Sequence, residues 1–74
     1  MTIRDLREQG ICLQGWIRVD KWDSNMEKSQ MISYSHNTNG ENINDIALDL
    51  EVKYIYTKDY DLVIEVVKED VRYE

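Results

Sequence analysis

Cys12 and His36 are the chain's only cysteine and histidine, so any chemistry built on a thiol or an imidazole has one candidate of each. Nothing in the order of residues completes a nucleophile, a base and an orienting group around His36, which falls where a strand runs into an asparagine-rich loop and reads as a surface histidine. Cys12 lacks a cationic neighbour that would hold a thiolate, and reads as a small, half-buried apolar residue. Together the two fall short of the four cysteine and histidine ligands of a structural zinc site. Asp59 and Asp61 are one of the chain's closely spaced carboxylate pairs. They flank Tyr60 in a polar break, where aspartate stabilises turns by bonding its own backbone, and acid/base work would need a pocket that so small a domain hardly forms. The expectation is a protein that is not an enzyme and holds no cofactor and no metal.

The residues that remain distinctive are Trp16, Arg18 and Trp22, a combination enriched in protein interfaces. They must be positioned by something. From Ile11 the apolar period is two: Ile11, Leu13, Ile17 and Val19 point one way, while Trp16, Arg18, Asp20 and Trp22 point the other. That is a strand with one core face and one mixed face. Gly15 lies on the apolar side, where a missing side chain suggests a bulge or a close approach by a helix. Two arrangements stay open for the mixed face: an interface, or cover by an N-terminal helix that buries one of the tryptophans.

The helix itself is signalled by Thr2 and Asp5, spaced as a capping box, with Ile3 and Leu6 on one face and Gly10 placed to end it in a left-handed conformation. The polar run DSNMEK over 23–28 reads as a turn, and QMISYSH returns as a second strand, with Val19 opposite Ile32 and Ile17 opposite Tyr34. NTNGEN over 37–42 is the clearest loop. One helical turn is expected over roughly Asn44 to Leu48, though the spacing there also fits a strand. DLEVKYIYTKDYDLVIEVV then reads as a hairpin pairing Tyr56 with Leu62, Tyr54 with Ile64, Val52 with Val66 and Lys53 with Glu65. That register sends the tyrosines to the core and argues against a nucleic-acid stacking platform. It leaves Ile55, Val63 and Val67 facing outward, and these are the candidate self-association residues of a likewise small homodimer.

The fold expected is thus α+β, a single domain over residues 1–74 with a short N-terminal helix and an antiparallel sheet of about four strands in two hairpins. At 74 residues the core is small, and one cysteine offers no internal disulfide, so a second copy or another partner is the natural supplement. Single-cysteine usage and the lack of a basic-then-apolar leader indicate a cytoplasmic setting. No apolar run reaches the roughly 18 residues of a membrane span. Fifteen acidic and nine basic residues give a net charge of −6, which opposes non-specific attachment to phosphate backbones and suits a basic partner surface, or simply keeps the chain soluble.

TIRDLREQGICLQG and LDLEVKYIYTKDYDLVIEVV together resemble small orphan proteins of phages and mobile elements of Gram-positive bacteria. The resemblance covers roughly half the chain and rests on pattern rather than on a diagnostic motif. It implies an anti-CRISPR or other anti-defence inhibitor: short, acidic, non-enzymatic, acting in the bacterial host cell by blocking the nucleic-acid-handling surface of a host protein such as a CRISPR nuclease. On physical grounds an acidic sheet protein can occupy a basic groove with carboxylates where phosphates would stand. The candidate partner-binding residues are Trp16, Arg18, Asp20, Trp22, Asp23 and Glu27, with Asp45, Asp49 and Glu51 as a second acidic group. The alternative is a small dimeric module acting on DNA or its topology through Arg18, Lys21, Lys28 and Lys53, and a phage structural or assembly protein is a third reading.

Overall fold

Thr2 starts the first helix from both directions. Its hydroxyl accepts from the Asp5 amide at 3.1 Å, and the Asp5 carboxylate accepts from the Thr2 amide at 2.9 Å, so two amides that the first turn leaves unpaired are satisfied. The helix, α1 (Ile3–Glu8), ends at Gln9, and Gly10 follows at φ 85°. Two turns are too few to be stable alone, and α1 is held by burying Ile3 and Leu6. These features belong to the computed structural model of the chain, which describes residues 1–38 and 42–67. The expected loop glycine, Gly40, lies outside those residues.

Four strands follow: β1 (Gly15–Asp23), β2 (Lys28–Asn37), β3 (Glu51–Lys58) and β4 (Asp61–Val67), with the single-turn helix α2 (Asp45–Leu48) between β2 and β3. Asn44 caps α2 by accepting from the Ile46 amide at 2.9 Å, so the helical reading of that segment holds. The sheet order is β2-β1-β4-β3. β1 and β2 are antiparallel, as are β3 and β4, but β1 and β4 run parallel at the centre. The sheet is therefore mixed, where an antiparallel one was expected. The parallel pair requires the chain to cross from one edge to the other, and α2 lies on that crossing.

Both helices cover one face. Ile3, Ile43, Ala47 and Leu48 pack with Ile17, Val19, Ile64 and Val66, and Leu13, Ile32, Leu50, Val52 and Leu62 fill in around them. Burying side chains of this size is worth about 1.5–3 kcal/mol each before entropy, the main support for so small a fold. A bridge between Thr2 and Glu51 ties the start of α1 to the start of β3. Gly15 is at φ 94° with open space where a Cβ would stand, so its role is backbone conformation and not close approach.

Two bulges set which residues reach the other face. In β2, Val19 pairs with Ser33 and Asp20 with Met31, leaving Ile32 as the extra residue. In β3, Val52 pairs with Val66 and Tyr54 with Glu65, leaving Lys53 extra. Each bulge shifts the alternation by one. Ile32 and Val52 still pack on the core, but Tyr34, Tyr54 and Tyr56 turn to the opposite side, 49%, 61% and 39% exposed. The expected pairings of Ile17 with Tyr34, Val19 with Ile32, Tyr56 with Leu62, Tyr54 with Ile64 and Lys53 with Glu65 are corrected accordingly, and Val52 opposite Val66 stands. Among the described residues no helix is long and apolar enough to cross a membrane.

Candidate functional site

The open face of the sheet can be built row by row from the strand registers. Trp16 lies beside His36. Arg18 lies between Tyr34 and Val63, with Tyr56 beyond; Asp20 lies between Met31 and Glu65, with Tyr54 beyond; and Trp22 lies between Ser29 and Val67, with Glu51 beyond. With α1 packed on the other face, neither tryptophan is covered: Trp16 is 48% and Trp22 40% exposed.

The rings are organised. Trp16 stacks on Tyr34 at a centroid separation of 5.3 Å and 24° between planes, and meets His36 edge-on at 5.2 Å and 73°. Such pairs add about 0.5–1.5 kcal/mol beyond area burial and hold the rings in fixed positions. The Tyr34 hydroxyl donates to Asp61 Oδ1 at 3.1 Å, and the Tyr56 hydroxyl donates to Glu65 Oε2 at 2.7 Å. Each hydrogen bond favours the neutral phenol, so both tyrosines are raised above their ordinary value, chiefly through that bond to a carboxylate. Arg18 Nε donates to Asp20 Oδ1 at 2.8 Å, and this bond, with the attraction of the same carboxylate, raises the guanidinium further.

Several expected site residues come together here and several do not. Trp16, Arg18, Asp20 and Trp22 share the face. Asp20, however, is 4% exposed and bonded to Arg18, so it is not a carboxylate free to stand for a phosphate. Asp23 is committed to the β1–β2 turn, its Oδ1 accepting from the Asn25 and Met26 amides at 2.9 and 3.4 Å, and Glu27 sits in that turn at φ 53°. Asp49 is on the helical side, paired with Arg4 at 2.6 and 3.1 Å, which holds its carboxyl below the usual range. The acidic candidates thus form no single surface.

Val63, expected to face outward and call for cover, does point to the open face but is only 1% exposed beneath its neighbours in the sheet. Val67 is half-buried, and Ile55 is 48% exposed on the helix-side face of edge strand β3, opposite Ile64. The basic candidates are also dispersed. Arg18 is occupied by Asp20, Lys21 takes the core-side alternation, Lys28 begins β2 and Lys53 is the bulge residue.

Sequence reasoning missed Tyr34, His36, Tyr54 and Tyr56 as members of this face, while Glu65 lies on it as the outward alternation of its strand expected. One signal was present: Ile55 breaks the even-numbered apolar series of Leu50 and Val52, as a shift in alternation requires. Beside Trp22 the face deepens into a cavity of about 320 Å³ lined by Lys53, Tyr54, Glu65 and Val67 as well as the tryptophan. Among the described residues no group of three or more histidine, cysteine or carboxylate side chains is gathered as a metal would require. Comparison with models of protein families, with curated proteins and with solved structures finds no match.

Proposed function

We propose that the protein is a non-enzymatic binding module that docks a partner protein on its open sheet face, and that it acts in the cytoplasm of a bacterial host as a phage or mobile-element inhibitor of a defence protein. The observation that carries the docking reading is the cluster of Trp16, Tyr34, Trp22, Tyr54 and Tyr56 around the Arg18–Asp20 pair on a face that no helix or strand among the described residues covers. Tryptophan, tyrosine and arginine are the residue types in which binding energy concentrates, and prearranged rings lose little entropy on binding. In this reading the two antiparallel pairs act as two hairpins whose rims frame the face. The anti-defence role is supported by the sequence resemblance and by the net charge of −6, which suits a basic, nucleic-acid-handling partner.

The same aromatic face favours a second reading, single-stranded nucleic acid stacked on the sheet. It needs cations beside the rings, and Arg18, the cation at the centre, is held by Asp20 while Glu65 and Asp61 add negative charge. A gel-shift titration of the protein with single-stranded DNA at physiological salt separates the two. No retention is expected, and clear retention that Trp16→Ala abolishes would replace the docking reading. Self-association through Ile55 is a separate proposal. Light scattering should show more than the 8.8 kDa monomer, and an Ile55→Lys variant with unchanged mass would remove it.

A further inference from the structure

From the cavity beside Trp22 we infer a subsite for one arginine side chain of the partner, a step that rests on the protein-docking reading above. Its chemistry is specific. Trp22 and Tyr54 line it with aromatic rings, Val67 adds an apolar wall, and Glu65 contributes a half-buried carboxylate. The registers place all four on the open face, Trp22 beside Val67 and Tyr54 beside Glu65. Glu65 Oε2 accepts from Tyr56, and no cation among the described residues pairs with either oxygen. Its neighbour across the parallel pair, Asp20, already has a counter-ion in Arg18. The cavity therefore presents beside its rings a carboxylate that no cation among the described residues contacts, with Lys53 on the same lining but not paired to it.

A planar guanidinium satisfies both demands at once. It is weakly hydrated, stacks on aromatic rings and donates in a fork to a carboxylate, whereas an ammonium is more strongly hydrated and lacks the flat surface. A volume of about 320 Å³ exceeds what one such side chain fills, leaving room for part of the flanking peptide. Lys53 lines the same cavity without an ion pair to Glu65. It opposes an incoming cation, so its charge sets how tightly the subsite binds.

The test uses the full chain and N-acetyl-arginine amide as the probe, followed through the two tryptophan indole N–H signals by NMR, with Trp16→Phe assigning them. Saturable shifts are expected at Trp22 and not at Trp16. The neutral isostere N-acetyl-citrulline amide should bind at least roughly tenfold more weakly, as should the arginine probe to Glu65→Gln, because a charge-assisted bond is lost. Lys53→Met should tighten binding. Equal binding of the citrulline probe, no shift at Trp22, or weakening by Lys53→Met would overturn the inference. The probe needs no partner, so its failure leaves the docking reading standing if Trp16→Ala still abolishes partner binding. Success with the probe does not rescue that reading if Trp16→Ala has no effect.

Discussion

The two faces of this sheet both carry large apolar side chains and use them in opposite ways. On the helix side, Ile17, Val19, Ile64 and Val66 are each fully buried under α1 and α2. On the open side, Trp16, Trp22, Tyr34, Tyr54 and Tyr56 stay 39–61% exposed, and the Tyr34 and Tyr56 hydroxyls are fixed by Asp61 and Glu65. Aliphatic side chains without polar atoms suit a sealed core, and amphipathic rings suit a surface that is wet in the free protein and buried in a complex. In the proposed docking reading, the difference means that the fold's stability and its binding are supplied by separate layers, so that one can be altered with limited damage to the other.

The sharpest way to break that comparison is a pair of truncations in β1. Ile17→Ala should cost about 3 kcal/mol, a large part of the stability of a domain this size, whereas Trp16→Ala should cost about 1 kcal/mol, the loss of its ring contacts. Urea unfolding followed by circular dichroism measures both, and equal losses would mean that the open face is part of the core. The Arg18–Asp20 pair comes next. Arg18→Met strands the buried Asp20 carboxylate and should cost about 2 kcal/mol, reduced from a fully buried pair because the Arg18 side chain is 36% exposed. Asp20→Asn leaves Arg18 able to turn to water and should cost less, about 1 kcal/mol, in the same titration. Thr2→Ala removes the capping box and should lower stability by about 1 kcal/mol at most, without changing any signal from the open face.

The smallest effect is set by pH. Tyr34 and Tyr56 are raised above 10.0 in the folded protein by their bonds to carboxylates, so folding favours their neutral form. The stability they add is fully present below the unfolded value and is lost as pH rises through the folded values. A spectrophotometric titration should show phenols ionising late. The late phase should shrink in Tyr34→Phe and in Tyr56→Phe, and a late phase unchanged by both would show that the two hydroxyl bonds are not formed.

What could be read from the sequence was what depends on near neighbours. Thr2 with Asp5, the turn around Asp23, Asn44 before α2 and the period-two run through Ile17 and Val19 each specify their own geometry over a few residues. The open face was half legible for the same reason, since Trp16, Arg18, Asp20 and Trp22 alternate on one uninterrupted strand. Its other half depends on the extra residues Ile32 and Lys53, and a bulge is decided by what the partner strand and the helices require, not by the residue inserted. The parallel meeting of β1 and β4 was hidden likewise, because it joins segments more than 40 positions apart with no turn between them.

The central proposal is that the open face, and not the helices on the other side, docks the host partner. It is tested most directly by phage-protection assays in a bacterial host with an active CRISPR nuclease, comparing the parent chain with Trp16→Ala/Trp22→Ala on the open face and Ile46→Ser on the helical side, where Ile46 is 71% exposed. With all three folded by circular dichroism, the account predicts protection by the parent and by Ile46→Ser and loss of protection by the double tryptophan variant. Protection undiminished by removal of both tryptophans, or no protection by the parent against any nuclease tried, would contradict it.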